Sequence, residues 1–465
     1  MVRREINNLA DLELDDLAKL STRMYIDKDK EHRSDSNGPV RKRIPPCTLR
    51  HCGSFDPYPK IHFQIFRRGS HRPHKMLFQS KDIDIPSSPV TTVWHQVDSK
   101  VRRSLSHHER YWWRTSGYAL AVLLSHAGYS SYIQYQDLEF FAIVIAPYLG
   151  AARKPSLYEI PWKSFMTDDG NPIELSWDWH TGTKSPTIRF SIEPVGIYAG
   201  KPIDPRNGSA ASAFVQALVQ SRVRLNLEWY DHFDKQFNCH GTVNASAQEG
   251  HSSQSFFAFD LADSGVTCKA YFFPGFKAGA KGQMSMTVIS QAIAAAPYCT
   301  PERLAALSVF QDFLADFSEP VPEVDMLAID LVDPMASRLK IYFRIRETSF
   351  NSVQHTMTLG NRIGTPAMVQ GLRSLKRLWS AVLERSGFPE DAQLPRVDHR
   401  TGGILYNVEF HLGSSAPKVK IYIPVRHYAR SDEKIMEGLS EYLYRNNPQS
   451  SRYTPEYGHA LETVL

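Results

Sequence analysis

Cysteine, long apolar runs and an excess of charge of one sign are all scarce in this chain of 465 residues, and each scarcity excludes a class of protein. The five scattered cysteines are too few, and odd in number, for a scaffold held by paired disulfides, so we expect free thiols and a cytoplasmic location. No run of about 18 or more uncharged apolar residues occurs, and the arginines near the start are not followed by the apolar stretch of a secretory signal. With 42% hydrophobic and 22% charged residues, the chain has ample material for a core, and we expect neither wholesale disorder nor a membrane span.

Charge is distributed unevenly along the sequence. Residues 1–104 hold 20 basic and 13 acidic side chains of the chain's 54 and 49, which leaves the remainder slightly acidic. Residues 41–75 alone collect nine basic side chains and one acid among turn-forming residues. We therefore predict a basic, largely disordered N-terminal extension over 1–104 and a folded domain over 105–465. Whether the extension is a solvated arm or binds an anionic partner stays open, but it has no recognised DNA-reading motif, so nucleic acid is the less favoured partner.

The sequence gives little support for a metal site. Cys47, His51, Cys52 and His62 have the ligand types that zinc prefers, but their spacing matches no zinc-finger template. A DDxxD-type motif is also missing, because the acidic pair at 168–169 is followed directly by glycine and asparagine. We therefore predict no metal site.

A repeated unit is the most informative feature of the rest of the sequence. Four times, two short segments of alternating polar and apolar residues are joined by a turn, and each pair is typical of a β-hairpin. Between the pairs, apolar residues recur on a helical period, as at Leu372, Leu375 and Trp379. The four pairs occupy residues 173–193, 255–275, 326–346 and 405–425. The pattern predicts an α+β fold in which helices alternate with antiparallel hairpins.

Alternation within each strand assigns its side chains to two faces. In the third hairpin Ile341 and Phe343 share one face while Lys340 and Tyr342 share the other, and the same rule holds in the other hairpins. Amphipathic helices need an apolar surface to cover, so they take the apolar face and leave the polar one pointing away from them. Two outcomes stay open: an open sheet whose polar face meets water, or a sheet that closes around a lumen lined by that face.

The motif Lys-x-Tyr recurs at 269/271, 340/342 and 420/422, and closure would bring these cations and phenol rings together around one cavity. Cations gathered in a low-dielectric cavity repel each other unless they share an anionic ligand, and a diphosphate carries enough charge for that role. The π-faces of tyrosines beside it would stabilise a carbocation, and the rings would keep water away. The candidate diphosphate ligands are Arg189, Lys269, Arg338, Lys340 and Lys420, and the candidate tyrosines are Tyr271, Tyr342 and Tyr422.

Glu174 lies on the polar face of the first strand of the first hairpin. A lone carboxylate facing a cavity lined by cations could accept a hydrogen bond from an acidic N–H of an aromatic substrate. The alternative is structural, a salt bridge to Arg189 across the same hairpin. Both interpretations stay open at this point.

Several ordered segments together resemble a known family. They are WWRTSGYALAVLLSHAGY at 112–129, WKSFMTDDGNPIELSWDW at 162–179, RFSIEP at 189–194 and the three Lys-x-Tyr strands. As a set they resemble the fungal aromatic (indole) prenyltransferases of the dimethylallyltryptophan synthase type, over residues 105–465. The resemblance implies an antiparallel β-barrel surrounded by helices in a repeated α-β-β-α unit. It also implies metal-independent transfer of a dimethylallyl group from dimethylallyl diphosphate to an aromatic acceptor, usually an indole of tryptophan, in alkaloid biosynthesis.

The resemblance also implies roles for individual residues. By motif, Glu174 would anchor the N–H of the acceptor, the five cations would bind diphosphate and the three tyrosines would shield the allyl cation. Phe165 and Met166 fall where the family contacts its aromatic substrate. No cofactor or metal is implied, and the partners are the aromatic acceptor and the prenyl diphosphate, with a homodimer left open.

The sequence departs from the family pattern in three places. Phe256 stands where some members have a lysine general base, so another group must take the proton and attack at indole C4 is less expected. Phe273 stands where the family often has an aromatic hydroxyl. The chain also stops where the family continues into a fifth hairpin, so we expect a barrel without its last hairpin, and a catalytically defective homologue stays an alternative.

Overall fold

The computed structural model describes residues 85, 87–153, 161–180, 184–238, 251–262, 265–317 and 320–464, together with the backbone of Ile61–Ile65. Within these residues, nine strands form one antiparallel sheet whose spatial order follows the chain. The strands are β1 (Ile61–Ile65), β2 (Ile173–Trp179), β3 (Thr187–Ile192), β4 (Ser255–Ala262), β5 (Gly265–Phe272), β6 (Glu323–Asp330), β7 (Leu339–Ile345), β8 (Ile404–Phe410) and β9 (Lys418–Tyr422). The four predicted hairpins are confirmed as β2–β3, β4–β5, β6–β7 and β8–β9.

Helices alternate with the hairpins, as predicted. None of those in the described ranges is both long and apolar enough to cross a lipid bilayer. The α-helices are Thr92–Val101, His107–Trp112, Tyr118–His126, Ser131–Phe140, Ala210–Val219, Glu228–Phe237, Gly275–Lys281, Ser285–Ala294, Ala305–Ala315, Phe350–Met357, Pro366–Val382, Val425–Tyr428, Asp432–Asn446, Pro448–Ser451 and Thr454–Val464. Two π-helical segments, Trp113–Gly117 and Phe141–Ile145, continue α-helices, and three 3₁₀ turns lie at Pro89–Thr91, Ala146–Tyr148 and Pro301–Arg303.

Local sequence signals set the ends of several helices. The helix at His107 begins with a capping box, in which Ser106 and Glu109 each bond the other's backbone N–H. The helix that starts at Pro366 has its N-cap at Thr365, whose hydroxyl accepts from the N–H of Met368 at 3.2 Å. Gly128 follows the helix Tyr118–His126 with a left-handed φ of 80°, a conformation that ends helices and favours glycine.

The core lies between the sheet and the surrounding helices. Phe190 of β3 stacks on Phe259 of β4 with 4.9 Å between ring centroids, and Phe214 of the helix Ala210–Val219 packs edge-on against Phe257 at 5.2 Å. All four rings are fully buried. The apolar face of the sheet is therefore the face that the helices cover, as the alternation predicted, and burial of these rings is the main local source of stability.

The opposite face of the sheet curls around a lumen. Consecutive strands pair from β1 to β9, whereas no pairing of β9 with β1 is found within the described residues, so the hydrogen-bond ladder is open at one seam. The predicted antiparallel barrel surrounded by helices is confirmed as a curled, incompletely closed barrel, and its polar face borders a lumen as in the second of the two outcomes. The polar faces of the strands line a cavity.

Part of the predicted N-terminal extension belongs to the folded domain. Strand β1 pairs with β2, with Ile61 opposite Trp179, although we predicted an arm in this basic segment. The helix Thr92–Val101 also precedes the predicted boundary at 105, and its Trp94 stacks on Trp113 at 5.2 Å. We predicted the extension from its basic composition. That composition gave no weight to the short polar–apolar alternation of β1 or to the helical spacing of the apolar residues around Trp94. The rest of the extension lies outside the described residues, and its disorder stays a prediction.

The last helix returns to the first hairpin. Tyr457 of Thr454–Val464 packs edge-on against Trp177 at 5.6 Å and against Trp179 at 4.9 Å, both on the outer face of β2. Glu456 of the same helix pairs with His126 at 2.9 Å. The segment that follows β9 thus returns to the outer face of the first hairpin.

Candidate active site

A cavity of about 1300 Å³ occupies the lumen of the curled sheet. Inward-facing side chains of β2 to β9 line it, together with the loop that precedes β2. Every residue predicted for the site contributes to this lining: the five cations, the three tyrosines, Glu174, Phe165 and Met166. The structure therefore brings the predicted groups together in one place, while the roles assigned to them stay predictions.

Charged side chains form one layer across the cavity, and its first part lies on β2 to β5. The guanidinium of Arg189 forms ion pairs with Asp178 at 2.7 Å and with Asp260 at 3.0 Å. The ammonium of Lys269 bonds both carboxylate oxygens of Asp260, at 2.7 and 2.9 Å. Antiparallel register explains the contact, because Arg189 and Asp260 are direct partners across β3 and β4.

The charged layer continues across β6 to β9 in the same alternating way. Arg338 bonds Asp330 with two nitrogens, at 2.7 and 3.1 Å, and approaches Glu409 at 3.4 Å. Lys340 bonds Asp330 at 3.0 Å, and Lys420 bonds Glu409 at 3.1 Å. Lys340, Lys420, Asp330 and Glu409 are all buried.

The four carboxylates of this layer correct the electrostatic picture drawn from the sequence. We expected the cations to repel each other until an anionic ligand arrived, whereas carboxylates already lie between them. Sequence reasoning missed these acids, although a signal exists: Asp260, Asp330 and Glu409 each lie on the strand that precedes a Lys-x-Tyr strand. In the part of the chain that the structure describes, five cations of the layer face four carboxylates, so an excess of positive charge remains.

Burial and neighbouring charge shift the pKa values of this layer in opposite directions. Burial and the nearby Arg338 lower the pKa of Lys340 to about 7, and the attraction of Asp330 opposes this shift. Burial would raise the pKa of Asp330, but Lys340 and Arg338 lower it well below the ordinary value. The pKa of Lys269 is likewise lowered by burial, against the pull of Asp260. Asp330 therefore stays ionised, while the charge of Lys340 depends on pH near neutrality.

Aromatic side chains form the next layer, two residues beyond the lysine on each Lys-x-Tyr strand. Phe256 stacks on Tyr271 with centroids 4.0 Å apart, and the rings of Tyr271, Tyr342 and Tyr422 follow at 5.8 Å intervals. The Tyr422 hydroxyl accepts a hydrogen bond from the Asn407 amide at 2.8 Å and donates to the Tyr342 hydroxyl at 3.3 Å. Burial raises the pKa of Tyr271 well above its ordinary value, so its ring stays a neutral phenol. A row of neutral π-systems thus adjoins a cationic layer, because Lys-x-Tyr puts both side chains on one face of a strand.

Glu174 lies in the same cavity and is only 8% exposed. Burial raises the pKa of its carboxyl well above the ordinary value, and no hydrogen bond to it is found within the described residues. The alternative of a salt bridge to Arg189 is wrong in this structure. Glu174 is opposite Ser191 in the register, whereas Arg189 is opposite Ser176 and pairs with the two aspartates already described.

A third group of side chains, which we term the Phe165 cluster, consists of Phe165, Met166, His251, Phe256 and Phe273. The Phe165 ring stacks on the His251 imidazole at 5.1 Å and packs against Phe273 at 4.7 Å and Phe256 at 5.0 Å. The imidazole meets the Phe273 ring edge-on at 4.4 Å. Sequence reasoning missed His251, since it lies in a loop before β4 and belongs to no motif. It is an imidazole within an aromatic cluster that lines the cavity.

The far side of the cavity carries a second set of charges. Arg344 approaches Asp325 at 3.5 Å and donates to the Thr401 carbonyl at 3.1 Å, while Arg346 bonds Glu323 at 2.7 Å. Burial raises the pKa of Asp325, and the nearby Arg344 opposes this. Two polar layers therefore enclose the aromatic one.

The zinc ligand types named above are not tested by the structure. Cys47, His51 and Cys52 lie outside the described residues, and only the backbone of His62 is described. Among the residues that are described, no group of three or more His, Cys, Asp and Glu is arranged to hold a metal ion.

Comparison with known proteins places the cavity in a family context. A family model described as "Tryptophan dimethylallyltransferase" matches residues 108–456. The chain is 34% identical to a 4-O-dimethylallyl-L-tyrosine synthase of Claviceps purpurea over 73% of this chain and 77% of the relative. It is also 34% identical to a 7-dimethylallyltryptophan synthase of Aspergillus fumigatus over 72% of this chain and 74% of the relative. The crystal structure of AnaPT from Neosartorya fischeri is similar with a TM-score of 0.66 and 25% identity, over 78% of this chain and 88% of that one.

Proposed function

The chain belongs to the tryptophan dimethylallyltransferase family, and we propose that it transfers a dimethylallyl group from dimethylallyl diphosphate to an aromatic acceptor inside the cavity. One observation carries the proposal: a cationic layer and a row of neutral aromatic rings adjoin each other within a single cavity of about 1300 Å³. The first suits a diphosphate leaving group and the second suits the allyl cation that it leaves behind. The names of the two relatives, which act on tyrosine and on tryptophan, support an aromatic amino acid or its derivative as the acceptor.

The charged layer binds the diphosphate in this proposal. The excess of cations over carboxylates gives a net attraction for an anion, and the lysines lie beside the carboxylates with which the diphosphate would compete. Preorganised cations also stabilise the negative charge that develops on the leaving group as the carbon–oxygen bond breaks. We assign this role to the five predicted cations, and we propose that no resident metal takes part.

The aromatic layer shields the allyl cation. Tyr271, Tyr342 and Tyr422 lie two residues beyond Lys269, Lys340 and Lys420 on the same strand faces, which is about 7 Å at the rise of a β-strand. A diphosphate on the lysines therefore leaves its five-carbon chain beside the rings. Each ring contributes about 1–2 kcal/mol to cation stabilisation when water is excluded.

Glu174 orients the acceptor. It is buried, it lines the cavity, and its carboxyl group is available to accept a hydrogen bond from an N–H or O–H of the acceptor ring. As the ring becomes cationic after attack, that hydrogen bond becomes stronger, so the contact favours the transition state over the ground state. Phe165 and Met166 supply apolar contacts to the acceptor ring in this arrangement.

The direct test is a product assay. The purified protein is incubated with dimethylallyl diphosphate, EDTA and a panel of indoles and phenols, including tryptophan and tyrosine, and products are identified by a mass gain of one C5H8 unit. We expect a product with at least one acceptor. Folded protein that makes no product with any of them would overturn the proposal in favour of a catalytically defective homologue, and product that forms only with added Mg²⁺ would overturn metal independence.

A matched pair of variants tests the diphosphate site. Lys340→Ala removes a buried cation of the charged layer, and we expect the KM for dimethylallyl diphosphate to rise. Lys376→Ala removes a lysine on the outer helix Pro366–Val382, which pairs with Glu390 at 3.7 Å, and we expect no change. A donor KM that is the same in both variants would remove Lys340 from the site.

The setting of the reaction is also part of the proposal. We infer a cytoplasmic enzyme of alkaloid biosynthesis, since Cys268 and Cys299 are free thiols and the cysteines are few and scattered. An antibody to the chain that detects it in a secreted or organellar fraction would overturn this location.

A further inference from the structure

An aromatic ring that has been alkylated at carbon must lose a proton to regain its aromaticity, and Phe256 cannot take it. Its ring stacks on Tyr271 at 4.0 Å and has no basic atom. We propose that His251 is the catalytic base that takes this proton, an inference that rests on the proposed prenyl transfer. In the step, the C–H electron pair returns to the ring, the proton passes to a ring nitrogen of His251, and diphosphate has already left with the electrons of the broken C–O bond.

The position of His251 carries the inference. Its ring is sandwiched in the Phe165 cluster, stacked on Phe165 and edge-on to Phe273, beside the side chains predicted to contact the acceptor. Both of its ring nitrogens are shielded from solvent, and within the described residues the neighbouring Ser253 backbone does not reach hydrogen-bond geometry with either of them. Ring nitrogens that are shielded from solvent without a well-formed hydrogen bond lower stability, so packing alone does not account for the presence of this imidazole. A substrate proton would supply the missing partner.

The charge state of His251 suits the task. Burial and the nearby Arg400 together lower its pKa to about 3, against the opposing effect of the Ser253 backbone. The imidazole is therefore neutral near pH 7 and able to accept a proton. An alkylated ring cation is a far stronger acid than an imidazolium, so a weak base is sufficient to deprotonate it. A strongly basic group in the same place would be protonated in advance and would repel the allyl cation.

Other titratable groups around the acceptor are less suited. Glu174 is assigned to the N–H or O–H of the acceptor, and burial raises the pKa of its carboxyl well above the ordinary value. Asp325 is engaged by Arg344 at 3.5 Å. Arg400, which donates to the Phe165 carbonyl at 3.3 Å, keeps its proton at all relevant pH values.

Two variants and an isotopic label test the inference. His251→Phe keeps a ring in the cluster and removes both nitrogens, while His251→Ala leaves space for added imidazole. Each variant is assayed with an acceptor that carries deuterium at the alkylated carbon. The donor, dimethylallyl diphosphate, carries ¹⁸O at the oxygen that joins its allyl carbon to phosphorus. Scrambling of that ¹⁸O reports cleavage of the donor independently of product formation. His427→Phe, at the other histidine that lines the cavity, is the matched control.

We expect the rate of product formation to fall by about 10²-fold in both His251 variants, with the donor KM unchanged and ¹⁸O scrambling retained. A primary deuterium isotope effect should appear in His251→Phe, because proton loss becomes rate-limiting, and imidazole should restore part of the activity of His251→Ala. His427→Phe should show neither effect.

Three outcomes would overturn the assignment. In the first, the His251 variants keep the wild-type rate of product formation. In the second, they lose activity but show no isotope effect and no rescue by imidazole. In the third, they lose ¹⁸O scrambling together with product, which indicates a structural role for His251. If the wild-type protein itself forms no product and scrambles no ¹⁸O, the proposed function fails instead, and the two failures are therefore distinguishable.

Discussion

The affinity for the prenyl donor should fall as pH rises above neutrality, because Lys340 loses its proton. Its pKa of about 7 reflects burial and the neighbouring Arg338, and Asp330 opposes the shift. Lys269 on β5 lowers the pKa as well, while Glu409 on the adjacent strand β8 raises it. A diphosphate favours the protonated form of Lys340. Above pH 7 the donor must therefore bind a site that is only fractionally in its competent state.

The size of the effect follows from the titration of one group. Each pH unit above 7 reduces the protonated fraction of Lys340 about tenfold, which is about 1.4 kcal/mol of binding free energy per unit. Stability of the empty protein should move the other way. The unfolded chain, whose lysine has an ordinary pKa, holds more protons than the folded chain between pH 7 and about 10, so the free energy of unfolding rises with pH in that window.

The assay is the dissociation constant of dimethylallyl diphosphate, measured by calorimetry from pH 6 to pH 9 for the wild-type chain and for Lys340→Arg. Arginine keeps its charge throughout, so the variant should lose most of the pH dependence whatever its absolute affinity. A residual slope is expected from Lys269, whose pKa burial also lowers. Identical slopes in the two proteins would refute the assignment of the titration to Lys340.

Three further predictions concern the acceptor, the charged layer and the helical shell. Glu174→Gln should lower kcat/KM for the acceptor about 10–10²-fold while leaving donor binding intact, and equal loss of both in steady-state kinetics would contradict its role. Asp330→Asn should lower the free energy of unfolding, measured by urea titration, by about 3–5 kcal/mol. Added inorganic diphosphate should raise the free energy of unfolding more in this variant than in the wild type. An equal gain in both proteins would count against a diphosphate site in the charged layer. Gly438→Ala should cost about 1–3 kcal/mol, because its Cβ would meet the Ala381 carbonyl of the neighbouring helix. Gly458→Ala, where a Cβ meets nothing within 4 Å, should instead stabilise the protein by about 0.5–1 kcal/mol in thermal unfolding.

The repeat and the face of each strand could be predicted because they depend on local order. Alternation in a sequence such as that around Lys340 and Tyr342 specifies which side chains share a face, and the structure has both in the cavity. Curvature of the sheet could not be derived from the same pattern, since an open layer and a barrel have identical alternation. That part of the prediction came from the resemblance to a family.

The parts that the sequence did not reveal depend on contacts between distant segments. Pairing of Lys269 with Asp260 requires the register of two strands, and pairing of Arg338 with Glu409 requires two hairpins to lie side by side. The contact of His251 with Phe165 likewise depends on the position of the loop before β4 in the folded chain. Local secondary-structure propensity contains no information on contacts between segments that are distant in sequence.

The open seam of the sheet affects what determines the diameter of the cavity. In a barrel whose ladder runs full circle, strand number and stagger determine the diameter. Here no pairing of β9 with β1 is found within the described residues, and the helix Thr454–Val464 packs its Tyr457 on Trp177 and Trp179 from outside the sheet. We therefore expect substitutions at Tyr457, Trp177 or Trp179 to change the size of acceptor that the cavity accepts, although these residues lie on the outer face of the sheet.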